Sequence, residues 1–163
     1  MAGIAVVTIS DRCAGGMRED RSGPAVATLL QQLWPDETIG RGLVPDDEEA
    51  IVTLLSELCH QEYQLVVTVG GTGLGPRDIT PEATRRVIER EVPGLPEAMR
   101  TFCAPSYKFA WLSRAIAGLK GKTLIVNVPG SENGAKESVQ AILPLLSHAL
   151  EITSGGTEHP KRG

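Results

Sequence analysis

A few short stretches of this 163-residue chain carry residue types that could handle phosphate and a divalent cation. Gly70-Gly71-Thr72-Gly73 follows an apolar run. Glycines let main-chain N–H groups approach a ligand with no Cβ in the way, and consecutive N–H groups form an anion-binding concavity. The alternative is a tight turn without a ligand. Arg77-Asp78 just beyond favours a ligand, because an arginine can grip phosphate and an aspartate can hold Mg²⁺ beside it. A helix opening at Thr80-Pro81 would add its partial positive charge. Asp46-Asp47-Glu48-Glu49 supplies carboxylates, although acids also suit a first helical turn. Ser10-Asp11 and Pro129-Gly130-Ser131 each terminate an apolar run, and Ser10-Asp11 could also be an Asx turn.

The elements that must position these residues follow from hydrophobic periodicity. Residues 4–9, 65–69 and 123–128 are continuous apolar runs and read as buried strands. Residues 37–44 form a weaker strand, and residues 13–21 a loop. Helical spacing recurs at Val26, Leu29, Leu30 and Leu33, and at Ile51, Leu54, Leu55 and Leu58. Ser22 is expected to cap the first of these helices and Thr80 a later one, with Pro24 and Pro81 in first turns. Val92-Pro93-Gly94 breaks that later helix, and residues 95–103 form a further short one. Residues 104–111 are ambiguous. Residues 115–119 and 123–128, joined by Lys120-Gly121-Lys122, make either a hairpin or a short helix followed by a strand. A long helix spans 134–153 with Pro144 as a kink. Strands that alternate with helices and are apolar on both faces predict a three-layer α/β sandwich with a mostly parallel central sheet. Residues 1–153 read as one domain, with Met1-Ala2-Gly3 leading into the first strand, and 154–163 as a flexible tail. In such a sheet, ligands bind beyond the carboxyl ends of the strands, where the polar loops named above fall.

Composition removes several classes. Hydrophobic residues are 41% and charged residues 22%, which argues against disorder. Aromatics are only 4%, so the core must be aliphatic and no base-stacking platform for single-stranded nucleic acid is expected. A formal net charge of −4 disfavours a general nucleic-acid binder. No apolar run is long enough for a membrane span, the start does not read as a signal peptide, and a cytoplasmic location follows as the default. Cys13, Cys59 and Cys103 are far apart and lack a C-x-x-C pair, so they read as reduced thiols. His60, His148 and His159 have no ligand spacing. Trp34 and Trp111 read as packing residues. Residues 118–123 echo a phosphate-binding P-loop, but Ile116 stands where its first Gly is required, and Pro76 interrupts a dinucleotide glycine pattern.

The same residues resemble the MogA/MoaB family of molybdenum-cofactor biosynthesis, which includes the plant and gephyrin G domains. The resemblance runs from about Ile4 to Ile152. It rests on Ser10-Asp11 with Asp20-Arg21-Ser22-Gly23-Pro24, on Val44-Pro45-Asp46-Asp47, and on Gly70-Gly71-Thr72-Gly73 through Pro76-Arg77-Asp78-Ile79-Thr80-Pro81-Glu82-Ala83. Leu112-Ser113-Arg114-Ala115-Ile116-Ala117-Gly118 and Asn127-Val128-Pro129-Gly130-Ser131 complete it. The resemblance implies a molybdopterin-binding fold, commonly homotrimeric. The implied activity is adenylyl transfer from Mg-ATP to molybdopterin, with release of pyrophosphate and delivery of product toward a molybdenum-insertion protein. It further implies that Asp46 and Asp78 are catalytic and hold Mg²⁺. Ser10, Asp11, Ser22, Gly23, Gly70, Gly71, Thr72, Gly73, Arg77, Ser113, Pro129, Gly130 and Ser131 are implied as substrate-binding. Ser131 resembles the MoaB branch, some of whose members are inactive; a binding-only or scaffold member is therefore the alternative, against which the retained Asp46 and Asp78 argue.

Overall fold

A computed structural model of the chain describes residues 3–161. In chain order the elements are β1 (Ile4–Ile9), α1 (Asp11–Ala14), α2 (Ser22–Leu33), β2 (Ile39–Val44), α3 (Glu48–His60), β3 (Leu65–Val69) and α4 (Thr80–Val87). They continue with β4 (Arg90–Glu91), α5 (Gly94–Cys103), a 3-10 helix (Lys108–Leu112), β5 (Ala117–Lys120), β6 (Thr123–Val128) and α6 (Glu132–Thr153).

The strands form one six-stranded sheet in the order β2-β1-β3-β6-β5-β4. The first four are parallel, and β5 and β4 add an antiparallel edge. Period-two alternation sends side chains to both faces. Ile4 and Val6 of β1 join Leu65, Val67, Leu124 and Val126 in a core with α2, α5 and α6. Ala5, Val7 and Ile9 join Val66 and Ile125 in a second core against α3 and α4. β1, β3 and β6 are buried along their whole length, which is why they read as unbroken apolar runs. This is the α/β sandwich expected from the sequence. Residues 1–2 of the expected strand lead-in and 162–163 of the expected tail lie outside the described residues.

Local differences have physical reasons. Neither Ser22 nor Thr80 caps its helix. The Ser22 hydroxyl instead donates to the Gly130 carbonyl at 2.7 Å, and that of Thr80 to the Gly70 carbonyl at 2.9 Å. Both tie a helix start to a rim loop. Asp20 takes the capping role at α2, accepting the Gly23 N–H at 3.0 Å. The helix from Thr80 ends at Val87 rather than Val92, because residues 90–91 pair with β5 as a short edge strand. The region from 115 to 128 is a hairpin, turned by Gly121 at φ +56°. Trp34 packs against the core, whereas Trp111 is 59% exposed, contrary to expectation; it sits in a 3-10 helix with no buried residue.

One buried polar node fixes the sheet to α4. Asn127 on β6 is fully buried. It donates through Nδ2 to Thr68 Oγ1 (2.9 Å) and Thr84 Oγ1 (3.0 Å), and its Oδ1 accepts the Ile116 N–H (3.2 Å). Buried polar groups are tolerated only when partnered. We expect Asn127→Ala, which orphans these groups, to cost about 3 kcal/mol of unfolding free energy in a urea titration; a loss under about 1 kcal/mol contradicts this accounting.

Candidate active site

The loops after β1, β2, β3 and β6 converge at one rim. Two glycines make this possible. Gly70 and Gly71 have φ +113° and +67°, in the region that side chains avoid. A Cβ on Gly70 would collide with the Ile9 carbonyl oxygen, and one on Gly71 with Thr80 Oγ1. The chain leaves β3 here with backbone against backbone.

The cleft has two compartments. One, of about 530 Å³, is largely apolar; Met99, Tyr107, Phe109 and Leu112 line it together with Thr72 and Ser113. The other, of about 410 Å³, is polar, with Ser10, Asp11, Arg12, Arg18, Asp20 and Asp46 among its lining residues. Gly71, Asp78, Gly130 and Ser131 line both and mark the seam between them.

At this seam main-chain donors are free. Among the described residues, no protein acceptor lies within hydrogen-bond geometry of the N–H groups of Gly71, Thr72, Gly73 and Leu74. Consecutive unpaired N–H groups at a cleft wall have the chemistry to receive an anion. The start of α4 is bonded directly to this loop: the Thr80 N–H donates to the Gly71 carbonyl at 3.1 Å and its hydroxyl to the Gly70 carbonyl at 2.9 Å.

The acids are held on one side and open on the other. Asp11 and Asp46 exchange reciprocal bonds: Asp11 N–H to Asp46 Oδ2 and Asp46 N–H to Asp11 Oδ1, each 3.0 Å. Asp78 Oδ2 accepts the Gly75 N–H at 2.8 Å. Asp46 Oδ1 and Asp78 Oδ1 have no protein donor among the described residues. Arg77 does not face either compartment. Its Nε and Nη2 grip Asp11 at 2.6 and 3.1 Å, and Nη2 also donates to the Asp46 carbonyl at 3.1 Å. The Arg77 bond holds the Asp11 carboxyl below the usual carboxylate value. Burial pushes the Asp46 carboxyl up; the charges of Asp11 and Asp78 push the same way, against the Asp11 N–H bond and Arg77. Among the described residues, no three His, Cys, Asp or Glu side chains cluster as a metal cage. Two carboxylate oxygens free of protein donors suit Mg²⁺, which is bound through one or two carboxylates plus water and substrate phosphates.

Of the residues marked from sequence, Ser10, Asp11, Ser22 and Asp46 line the polar compartment, Thr72, Gly73, Ser113 and Pro129 the apolar one, and Gly71, Asp78, Gly130 and Ser131 both. Gly23, Gly70 and Arg77 stand behind these walls. A Cβ at Gly23 would press into Thr8 Oγ1 and Asp20 Oδ2, so its role is to let α2 seat closely. Two residues carry more than their sequence context signalled. Asp20 accepts from Thr8 Oγ1 (2.6 Å), Arg41 Nη2 (3.0 Å) and Gly23 N–H. Arg114 binds the carbonyls of Gly73 (2.8 Å) and Asp78 (2.6 Å) and the Glu82 carboxylate. The Thr8–Asp20 partners lie 12 residues apart in sequence and the Gly73–Arg114 partners 41, and no local spacing encodes them.

Comparison with known proteins assigns the fold. Residues 5–148 match the family model described as a probable molybdopterin binding domain. The chain belongs to this molybdopterin-binding family. A molybdopterin adenylyltransferase of Helicobacter pylori J99 is 39% identical over 156 residues, which cover 93% of this chain and 88% of that protein. The molybdenum cofactor synthesis protein cinnamon of Drosophila melanogaster is 38% identical over 90% of this chain. The chain spans only 25% of that protein, and 22% of Dictyostelium discoideum gephyrin. Among solved structures, the molybdopterin biosynthesis enzyme MoaB of Thermus thermophilus superimposes with TM-score 0.84 at 42% identity, covering 95% of this chain and 98% of that one. No described helix is long and apolar enough to cross a membrane.

The raised pKa of Asp46 gives a signed prediction. A carboxyl whose folded pKa exceeds its unfolded value penalises the folded state above that raised pKa, and the penalty vanishes as pH falls to the ordinary aspartate value of 3.8. Asp46→Asn should therefore raise Tm at pH 7 by roughly a degree, and the gain should shrink as acid protonates the native carboxyl. A loss of Tm at pH 7, or a gain independent of pH, contradicts this reading.

Proposed function

We propose that this chain transfers the adenylyl group of ATP to the terminal phosphate of molybdopterin, giving adenylylated molybdopterin and pyrophosphate. The observation that carries the reading is the seam: unpaired N–H groups of residues 71–74 beside two open carboxylate oxygens, with a compartment on each side for one reactant. The name of the H. pylori relative, similar over nearly its whole length, supports it.

The polar compartment, with Arg12 and Arg18 on its wall, suits the triphosphate of ATP. The apolar one, edged by Tyr107 and Phe109, suits the planar pterin. Both phosphate groups then meet at the seam. A molybdopterin phosphate oxygen attacks the α-phosphorus of ATP in line. The bond from that phosphorus to the oxygen bridging to the β-phosphorus breaks, and its electron pair leaves with pyrophosphate. The nucleophile is already an anion, so no general base is needed. Positioning and charge stabilisation dominate such transfers. The main-chain N–H row binds phosphate oxygens at the seam. Asp46 and Asp78 are the residues that would hold Mg²⁺, and the ion would supply neutralisation of phosphate charge. Arg77 keeps Asp11 ionised and thereby holds the β1 and β2 loops together.

The proposal includes a homotrimer, a cytoplasmic setting, residues 1–153 as one domain and hand-over of product to a molybdenum-insertion protein. Family resemblance supports the trimer and the hand-over.

Pyrophosphate release is expected only when ATP, Mg²⁺ and molybdopterin are all present, and Asp78→Asn should reduce kcat about 100-fold or more. Release without the pterin, or an Asp78→Asn variant as active as the parent, contradicts the reading. The compartment assignment is tested separately. Phe109→Ala should raise KM for molybdopterin roughly tenfold while leaving that for ATP nearly unchanged; the reverse pattern would exchange the two compartments.

A further inference from the structure

Arg114 sits behind the phosphate-facing loop and touches neither compartment, yet the loop is built around it. Its own N–H donates to the Thr72 carbonyl at 2.8 Å. Its Nε takes the Gly73 carbonyl at 2.8 Å and its Nη2 the Asp78 carbonyl at 2.6 Å. Nη1 is paired to Glu82 Oε1 of α4 at 2.5 Å. One residue thus fastens both ends of the segment from Gly73 to Asp78 and anchors them to α4.

These bonds have a directional consequence. No peptide bond is cis among the described residues, and in a trans peptide the C=O and the following N–H point in opposite directions. Drawing the Thr72 and Gly73 carbonyls onto Arg114 turns the N–H groups of Gly73 and Leu74 away from it. Both residues line the cleft, and neither N–H has a protein acceptor among the described residues. Asp78 is fixed in the same way, its carbonyl by Arg114 and its Oδ2 by Gly75 N–H, which leaves Oδ1 open. The guanidinium also places a fixed positive charge behind these dipoles. A lysine cannot reproduce three divergent, planar N–H vectors.

We propose that Arg114 is a positioning residue for adenylyl transfer: it holds the 72–78 main chain so that its N–H groups and the Asp78 carboxylate face the reacting phosphates. The proposal rests on the adenylyl-transfer reading, but its test includes a binding measurement that does not. Isothermal titration with inorganic pyrophosphate and Mg²⁺ is run on the unaltered chain, Arg114→Lys, Arg114→Ala and Asn127→Ala. The last variant loosens β6 from α4 without removing any bond to residues 70–78, and controls for lost stability. Both Arg114 variants should bind pyrophosphate at least about tenfold more weakly. In the coupled assay they should lose kcat about 100-fold with KM for molybdopterin within about threefold. Asn127→Ala should stay within about threefold on every measure. If Arg114→Ala does not fold, Arg114→Lys carries the test. Pyrophosphate affinity unchanged in Arg114→Lys, no pyrophosphate binding by the unaltered chain, or equal losses in Asn127→Ala would overturn the proposal. Normal pyrophosphate behaviour without turnover by the unaltered chain would overturn the adenylyl-transfer reading alone.

Discussion

Three chain segments meet main chain to main chain where β1, β3 and β6 end. Gly70 lies against the Ile9 carbonyl, its N–H donates to the Val128 carbonyl at 3.0 Å, and Gly130 packs on its Cα. Side chains are excluded at that junction, so the loop after β3 must leave as bare backbone. Parallel strands carry their carboxyl ends to one edge of the sheet, which places the loops of β1, β2, β3 and β6 there together. The junction then closes them into a single rim. Ser22 and Thr80, which would ordinarily cap helices, instead fasten that rim to the helices beneath it.

Charge at the rim is arranged by separating two tasks. Asp11, Arg77 and the backbone of Asp46 form a neutralised brace between the β1 and β2 loops. Asp46 and Asp78 each commit one oxygen to an N–H, and the other has no protein donor among the described residues. The raised pKa of Asp46 follows from keeping a partly buried carboxylate with no cationic side chain bonded to it. A divalent cation bound beside such a carboxylate would favour its ionised form.

The layered fold and most of the rim are legible in the sequence, because both depend on local pattern. Apolar runs at 4–9, 65–69 and 123–128 read as buried strands, and the sheet does bury all three along their length. The glycines at 70 and 71 signal backbone conformations that other residues avoid. What escapes notice is whatever depends on partners distant in the chain. Arg77 beside Asp78 reads as a phosphate grip, but the structure turns it onto Asp11, 66 residues away. Ser22 and Thr80 carry the right residue type for caps, yet distant carbonyls compete successfully for their hydroxyls. Arg114 falls in a stretch that carries the family resemblance, but nothing in that stretch signals its task, because its three carbonyl acceptors come from the loop after β3. The short strand at 90–91 has no pattern of its own and exists because β5 offers an edge.

If the unpaired N–H groups of residues 71–74 are the seat of the phosphates, those groups must respond to a nucleotide directly. Amide NMR of the ¹⁵N-labelled protein during titration with AMP and Mg²⁺ reads them one by one. Saturable downfield proton shifts are expected at Gly71, Gly73 and Leu74, larger than at glycines remote from the cleft such as Gly121. If those three amides stay in place while a different region of the chain shifts, the phosphates bind elsewhere and the account is contradicted.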